Sequence, residues 1–288
     1  MSSLSLQPIL ALVGHPLSRN PTQYMLQEAF THHNLDWRYL SVEVAPDDLG
    51  DAVRGMRAMG FCGGNCADPH KQAVIEHLDR TSEAAGRIGT VNLLLGEDGQ
   101  LVGENTEGKA VVESLRRQID PADKRILLLG TGRVARAVGL ELAAAGVAEL
   151  IVLGRTESKA YELIEMLGSD ESKMPLSEMP LSAVGWKGDY HFGPETDVLI
   201  NATSAGDLDP DTPLPLDLGE LSPPAIVVDV TLNQPATWLL GEAAERGCST
   251  VNGVEVFIEE AAINFRLWTG VDPDRAIMRE AVEEFLEL

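Results

Sequence analysis

The chain has 288 residues, of which 45 are acidic and 22 basic, giving a formal charge of −23. That balance repels nucleic acid phosphates and anionic membranes, which require clustered Lys and Arg, so neither is an expected partner. A phosphorylated cofactor would be repelled too, and binding one requires a local basic patch set against the overall field.

The length favours two cores over one, and the 44% apolar content can fill them. No apolar run approaches the ~20 residues that cross a bilayer, and no basic stretch precedes residues 4–13, so a cytoplasmic protein is expected. Cys62, Cys66 and Cys248 fit neither a zinc pattern nor a redox Cys-x-x-Cys pair. The six histidines, His15, His32, His33, His70, His77 and His191, form no familiar ligand spacing, and no metal is expected.

In chain order, residues 9–13 are a short apolar run followed by a turn, Asn20-Pro21 and apolar residues at helical spacing over 24–30, predicting strand, turn and helix. Asn followed by Pro is also a favourable start to a helix, so Asn20 is a candidate cap. A strand over 37–44, a helix over 46–59, a strand over 61–67 and a helix over 70–78 follow, and this alternation implies a largely parallel sheet. Residues 91–95 and 100–102 flank Gly96-Glu97-Asp98-Gly99, which predicts a hairpin before the next helix near Thr106.

The pattern restarts at Lys124. An apolar strand over 126–129 runs into Gly130-Thr131-Gly132-Arg133-Val134-Ala135, a helix continues through Ala145, and a strand occupies 150–153. This is a βαβ unit within the usual span of ~30 residues. Further strands are expected at 198–202 and 226–230. Residues 168–195, rich in Ser, Pro, Gly and charge, read as irregular. Helical patterns at 254–268 and 273–286 extend the second domain or return to the first, and periodicity leaves both open.

Gly130 and Gly132 allow a pyrophosphate to approach the unpaired N–H groups of a helix start, and Ala135 stands where a small residue lets helix and strand pack closely. The alternative is an ordinary tight turn. After the second strand an NAD enzyme usually presents a carboxylate to the ribose hydroxyls; here Gly154-Arg155-Thr156 is followed by Lys159, and Arg155 suits a 2′-phosphate. Arg133 in the glycine loop supplies a second cation, so NADP is the expected cofactor. Arg155 and Lys159 also read as solvated residues of a helix start. For the proton of an alcohol, Lys71 in Asn65-Cys66-Ala67-Asp68-Pro69-His70-Lys71 is the best candidate, although a lysine at a helix start is more often structural.

Those segments, together with Gly14-His15-Pro16-Leu17-Ser18-Arg19-Asn20-Pro21, Ile88-Gly89-Thr90-Val91-Asn92, Gly103-Glu104-Asn105-Thr106-Glu107-Gly108, Ile200-Asn201-Ala202-Thr203-Ser204-Ala205-Gly206 and Leu267-Trp268-Thr269-Gly270, occur in order along nearly the whole chain. It resembles the shikimate dehydrogenase family. The resemblance implies an α/β protein with an amino-terminal substrate domain, residues 1–106 and 255–288, and an inserted Rossmann-type NADP-binding domain, residues 107–254. By the same resemblance Lys71 and Glu107 form the proton-handling pair, and Ser18, Asn20, Ala67, Asn92, Asn105, Leu232 and Glu260 line the substrate. Thr203, Ser204 and Gly253 join the glycine loop, Arg155, Thr156 and Lys159 around NADP.

The chain departs from the family pattern where the substrate would sit. Glu107 stands for the usual Asp, Asn20 for a Ser, Ala67 for a Thr, Leu232 for a Tyr and Glu260 for a Gln. The expected reaction is NADP-linked interconversion of a ring hydroxyl and a ketone on a small cyclic polyol acid. Shikimate and 3-dehydroshikimate are the first expectation, with quinate, an amino-substituted relative or another cyclic polyol as alternatives. A non-catalytic NADP(H)-binding paralogue is the competing class. The assembly is expected to be a monomer or a homodimer.

Overall fold

The computed structural model describes residues 6–17, 20–168, 180–232 and 236–288. The chain divides into two compact units, Met1–Thr106 with Glu260–Leu288, and Glu107–Glu259. The second crossing, between Glu259 and Glu260, falls inside the continuous helix Gly253–Thr269.

The first unit contains β1 (Ile9–Gly14), α1 (Thr22–His32), β2 (Arg38–Glu43), α2 (Leu49–Ala58), β3 (Gly63–Cys66), α3 (His70–Ala73), β4 (Arg80–Thr81), α4 (Glu83–Ile88), β5 (Leu93–Glu97) and β6 (Gln100–Glu104). Its six strands run in the order β2-β1-β3-β5-β6-β4. The expected largely parallel sheet is in fact mixed: β1 is parallel to β2 and β3, whereas β5 is antiparallel to β3 and β6. The β5–β6 hairpin turns through Asp98 and Gly99, at φ 50° and 80°. Two successive left-handed residues match the twist of the flanking strands, which is why this dipeptide closes the turn.

The helix read over 70–78 is broken. α3 gives way to a 3₁₀ turn at Val74–His77, which packs beside α2. α4 is an addition to the expected pattern; Ser82 accepts the N–H of Ala85 at 3.1 Å, and Gly89, at φ 78°, ends it. α1 buries Met25, Leu26, Ala29 and Phe30, one stripe of a 3.6-residue period. Phe30 stacks on Phe265 with ring centroids 5.1 Å apart.

The second unit contains α5 (Glu107–Arg116), β7 (Arg125–Leu129), α6 (Arg133–Ala144), β8 (Glu149–Gly154), α7 (Glu157–Gly168), β9 (Leu181–Gly185), β10 (Tyr190–His191), β11 (Val198–Asn201), β12 (Leu216–Asp217), β13 (Ile226–Asp229), α8 (Trp238–Glu245) and β14 (Ser249–Val251). α9 (Gly253–Thr269) begins in this unit and continues into the first, which also holds α10 (Arg275–Leu286). The main sheet is parallel, in the order β14-β13-β11-β7-β8-β9. Strand order reverses at β7, the arrangement of a doubly wound dinucleotide fold. β11 and β13 are buried at every position, as strands covered on both faces must be.

Residues 168–195 are not wholly irregular. Residues 169–179 lie outside the described residues, but Leu181–Gly185 forms β9 against β8, and Tyr190–His191 pairs with Leu216–Asp217. β9 is a half-exposed edge strand, so its Leu-Ser-Ala-Val-Gly sequence carries no continuous apolar run. In α5, a Cβ on Gly108 would come within 2.1 Å of the Ala137 carbonyl oxygen. Only glycine allows α5 and α6 to pack backbone against backbone there.

Candidate active site

In the second unit β7 ends at Gly130, whose φ of +113° is closed to ordinary side chains. Its N–H donates to the Leu153 carbonyl at 2.8 Å, and the Ala202 N–H donates to the Leu129 carbonyl at 2.9 Å. The turn is thereby fixed beside the ends of β8 and β11. A Cβ on Gly130 would lie 2.8 Å from the Ala202 oxygen and 3.3 Å from Thr203 Cγ2.

Gly132 differs. It caps α6 in extended conformation with no side chain bonded to the helix start, and a Cβ there would meet nothing within 4 Å. The first N–H groups of α6 have no acceptor within the helix and lie at its positive end, which fits a pyrophosphate. Ala135 is fully buried, Thr131 and Val134 half-buried, and Arg133 exposed. A Cβ on Gly154 would come 2.6 Å from Thr131 Cγ2, so the chain leaves β8 against the glycine loop, with Arg155, Thr156 and Lys159 exposed just beyond. The expected basic patch of Arg133, Arg155 and Lys159 thus has its backbone at the carboxyl ends of neighbouring strands, where doubly wound sheets bind ligands.

Thr203 and the exposed Ser204 sit in the loop after β11. Asn201 Oδ1 accepts from the Thr203 N–H at 3.1 Å and from Thr203 Oγ1 at 2.7 Å, while Asn201 Nδ2 donates to Asp229 at 3.1 Å. Asp229, fully buried, also accepts from Thr237 Oγ1 at 2.9 Å and the Thr231 N–H at 3.0 Å. Partial burial, reinforced by the charge of Asp229, raises the Asp207 carboxyl above the usual carboxylate range. Gly253 has a packing reason for being glycine: its Cβ would lie 2.1 Å from the Thr231 oxygen. Leu232, half-buried, is the next residue along. Glu107 opens α5 and is buried.

In the first unit, Lys71 lies in α3, directly after β3, half-buried. Its carbonyl accepts from the Val91 N–H at 2.8 Å, which joins it to the segment carrying Asn92. Burial pushes the Cys66 thiol up to about 12; the Lys71 charge opposes this and Asp68 adds to it. At pH 8 the Cys66 thiolate fraction is then on the order of 10⁻⁴. Iodoacetamide is expected to leave Cys66 unmodified in the folded protein and to alkylate it after denaturation, as peptide mass spectrometry will show.

Asn92 is buried, with both amide hydrogens committed within the protein. Nδ2 donates to Thr106 Oγ1 at 3.0 Å and to Glu260 Oε1 at 2.8 Å, and Oδ1 accepts from the Thr106 N–H at 2.8 Å. Thr106 Oγ1 donates in turn to Asn264 Oδ1 at 2.8 Å. Asn65 Nδ2 donates to the Asn92 carbonyl at 3.0 Å and its Oδ1 accepts from the Tyr39 hydroxyl at 2.7 Å. Burial, then the charge of Glu260, holds that hydroxyl well above the usual phenol range. Asn105 Nδ2 donates to the Thr90 carbonyl and hydroxyl at 3.2 and 3.1 Å.

The structure therefore brings Lys71, Asn92, Asn105 and Glu260 into one unit, with Ala67 and Asn20. Asn20 Oδ1 accepts from the Thr22 N–H at 3.0 Å, although the helix proper starts one residue beyond Pro21. Ala67 packs on Gly14, where an added Cβ would meet Ala67 Cβ at 2.9 Å. Ser18 lies outside the described residues. Tyr39, Asn65, Thr106 and Asn264 were not singled out as site residues from the sequence; an Asn inside the buried strand Gly63–Cys66 was the available signal. Among the described residues no group of three or more His, Cys, Asp or Glu could hold a metal ion, and no helix is long and apolar enough to cross a membrane.

Three family models match in order: the shikimate dehydrogenase substrate binding domain over residues 12–94, shikimate / quinate 5-dehydrogenase over 113–208, and the shikimate 5'-dehydrogenase C-terminal domain over 253–283. A shikimate dehydrogenase (NADP(+)) of Bacillus cereus (strain B4264) is 36% identical over 283 residues, 98% of this chain and 99% of that protein. Among solved structures, the ligand-free 5-ketofructose reductase of Gluconobacter sp. strain CHM43 aligns with a TM-score of 0.91 and 36% identity, covering 97% of this chain and 99% of its own. Shikimate 5-dehydrogenase of Thermus thermophilus, in complex with NADP(H) and shikimate, aligns at 0.81 and 29% identity, covering 97% and 100%. With its fold, its glycine loop and these matches along almost its full length, the chain belongs to the shikimate dehydrogenase family.

Proposed function

We propose that the protein is an NADP(H)-dependent dehydrogenase that interconverts a hydroxyl and a ketone on a small polyol, with shikimate and 3-dehydroshikimate as the reference pair. The observation that carries this reading is the unblocked start of α6 at Gly132, followed after β8 by Arg155 in place of a carboxylate. The bacterial relative named as NADP(+)-dependent supports the same cofactor. The loop Gly130–Ala135 would hold the pyrophosphate, and Arg155 with Arg133 and Lys159 the 2′-phosphate, with Thr156, Thr203, Ser204 and Gly253 around them.

The cofactor, when bound, supplies or accepts the hydride. Lys71 gives or takes the proton at the substrate oxygen, and Glu107 is the carboxylate assigned with it to proton handling. Asn92 and Asn105, with side chains locked by Thr106 and Thr90, orient substrate hydroxyls. A second reading, an uncharged ketosugar as substrate, draws support from the neighbour named 5-ketofructose reductase.

The test is NADPH oxidation with a panel of cyclic and open-chain polyhydroxy ketones, run beside cofactor titrations. Arg155→Ala is expected to weaken NADP(H) binding roughly ten- to a hundredfold, the loss of a charge-assisted pair of hydrogen bonds worth ~1.5–3 kcal/mol, while NAD(H) affinity stays within about twofold. A wild-type preference for NAD(H) that survives the substitution sinks the cofactor assignment.

A further inference from the structure

We propose that Asp229 is a positioning residue for the cofactor, whose buried carboxylate holds Thr203 to Gly206 and Thr231 in their cofactor-binding arrangement before NADP(H) arrives. This rests on the dehydrogenase reading above and adds to it a residue that acts through its neighbours.

Asn201 and Asp229 are register partners at the carboxyl ends of β11 and β13, so their side chains share one face of the sheet. Asp229 is fully buried, and among the described residues none of its hydrogen-bond partners is a cation. Neutral donors alone hold it: the Thr231 N–H reaches Oδ1 at 3.0 Å, and Asn201 Nδ2 and Thr237 Oγ1 reach Oδ2 at 3.1 and 2.9 Å. A carboxylate at neutral pH only accepts, so Asp229 takes the amide nitrogen of Asn201 and leaves Oδ1 for the loop. That oxygen accepts from the Thr203 N–H and hydroxyl at 3.1 and 2.7 Å, and the Thr203 hydroxyl oxygen accepts from the Ala205 N–H at 3.1 Å. The Ala205 carbonyl accepts from Asn201 Nδ2 at 3.4 Å and from Thr231 Oγ1 at 3.5 Å. Donor and acceptor are thus assigned at each step outward from Asp229. The loop so fixed abuts the glycine loop, because a Cβ on Gly130 would lie 3.3 Å from Thr203 Cγ2. The same carboxylate holds Thr231, against whose carbonyl oxygen Gly253 packs. A cofactor therefore meets a border that was ordered on folding, and little affinity is lost to immobilising it.

The experiment pairs NADPH fluorescence titration of wild type, Asp229→Asn and Thr237→Val, all full-length, with amide hydrogen exchange of the wild type. In Asp229→Asn either orientation of the new amide sets two donors against each other, at Asn201 or at the Thr231 N–H. Its Kd for NADPH is expected to rise at least roughly tenfold, ~1.4 kcal/mol. Thr237→Val removes another hydrogen bond from the same carboxylate and the cap of α8 but leaves the bonds from Asn201 and Thr231. It is expected to lower Tm and keep Kd within about threefold. A purely structural role would lower Tm in both variants and leave the affinity of the folded molecules unchanged, and that result overturns the proposal, as does an equal loss of affinity in the two. In wild type without cofactor the Thr203, Ala205 and Thr231 amides are expected to exchange at least roughly a hundredfold more slowly than in an unfolded chain, with NADPH adding less than about tenfold. Unprotected exchange there overturns the proposal without any variant that must fold. Wild-type binding of NADPH that survives Asp229→Asn overturns this inference alone, whereas a wild type that binds no NADPH overturns the dehydrogenase reading with it.

Discussion

Replacing Lys71 with alanine is expected to lower kcat by roughly 10²- to 10⁴-fold, the usual contribution of a positioned acid or base, while NADP(H) affinity stays near wild type. The residue is half-buried in the four-residue helix that follows β3, and alanine is at home in a helix. Thermal stability should therefore move little. Lys71→Arg separates charge from proton transfer: a guanidinium keeps the positive charge but does not release its proton at any working pH. Both variants should be comparably inactive if proton transfer is the role, whereas an active arginine variant would reassign Lys71 to electrostatic binding. Stopped-flow or steady-state NADPH oxidation reads the rate, and fluorescence titration the cofactor affinity. The alanine variant should also push the Cys66 thiol still higher, because Lys71 is the charge that opposes its burial.

Gly132→Val is expected to abolish or weaken NADP(H) binding by at least roughly a hundredfold while the protein remains folded. The backbone at this position is extended, a region open to every residue, and the added side chain meets no atom of the protein within 4 Å. The folded state loses only the modest preference of a helix cap for glycine over valine, ~1 kcal/mol. What the isopropyl group would fill is the space before the first N–H groups of α6. Differential scanning calorimetry and NADPH titration together form the test; unchanged cofactor affinity would remove the pyrophosphate from this helix start. Gly130 offers no such separation, since its left-handed backbone and its closeness to Ala202 make any substitution a folding defect as well.

The parts legible in the sequence share one property: their signal is local. β7, β11 and β13 are continuous apolar runs because both faces are covered, and the Asp98-Gly99 turn carries its own backbone requirement. The glycine loop likewise announces itself through spacing. β9 was hidden because an edge strand with half-exposed side chains has no such run. The polar network was hidden for a different reason. Thr106 and Asn264 are hydrogen-bonded across 158 positions, and Asn92 and Glu260 across 168, so no window of sequence contains both partners. Gly253 read as a ligand contact by resemblance, while its packing on Thr231 became apparent only when β13 and α9 were side by side.

The tight seam at Gly108 constrains how the carboxylate beside it can vary. Glu107 is the preceding residue, and the Ala137 oxygen lies where a methyl group on Gly108 would project. A longer acid at 107 cannot be accommodated by easing its main chain backward, because the next peptide has nowhere to go. The extra methylene, about 1.5 Å of reach, must be taken up by torsions of the side chain itself. Exchanging Glu107 for Asp consequently changes the reach of the carboxylate by about that length, with the main chain of α5 held still.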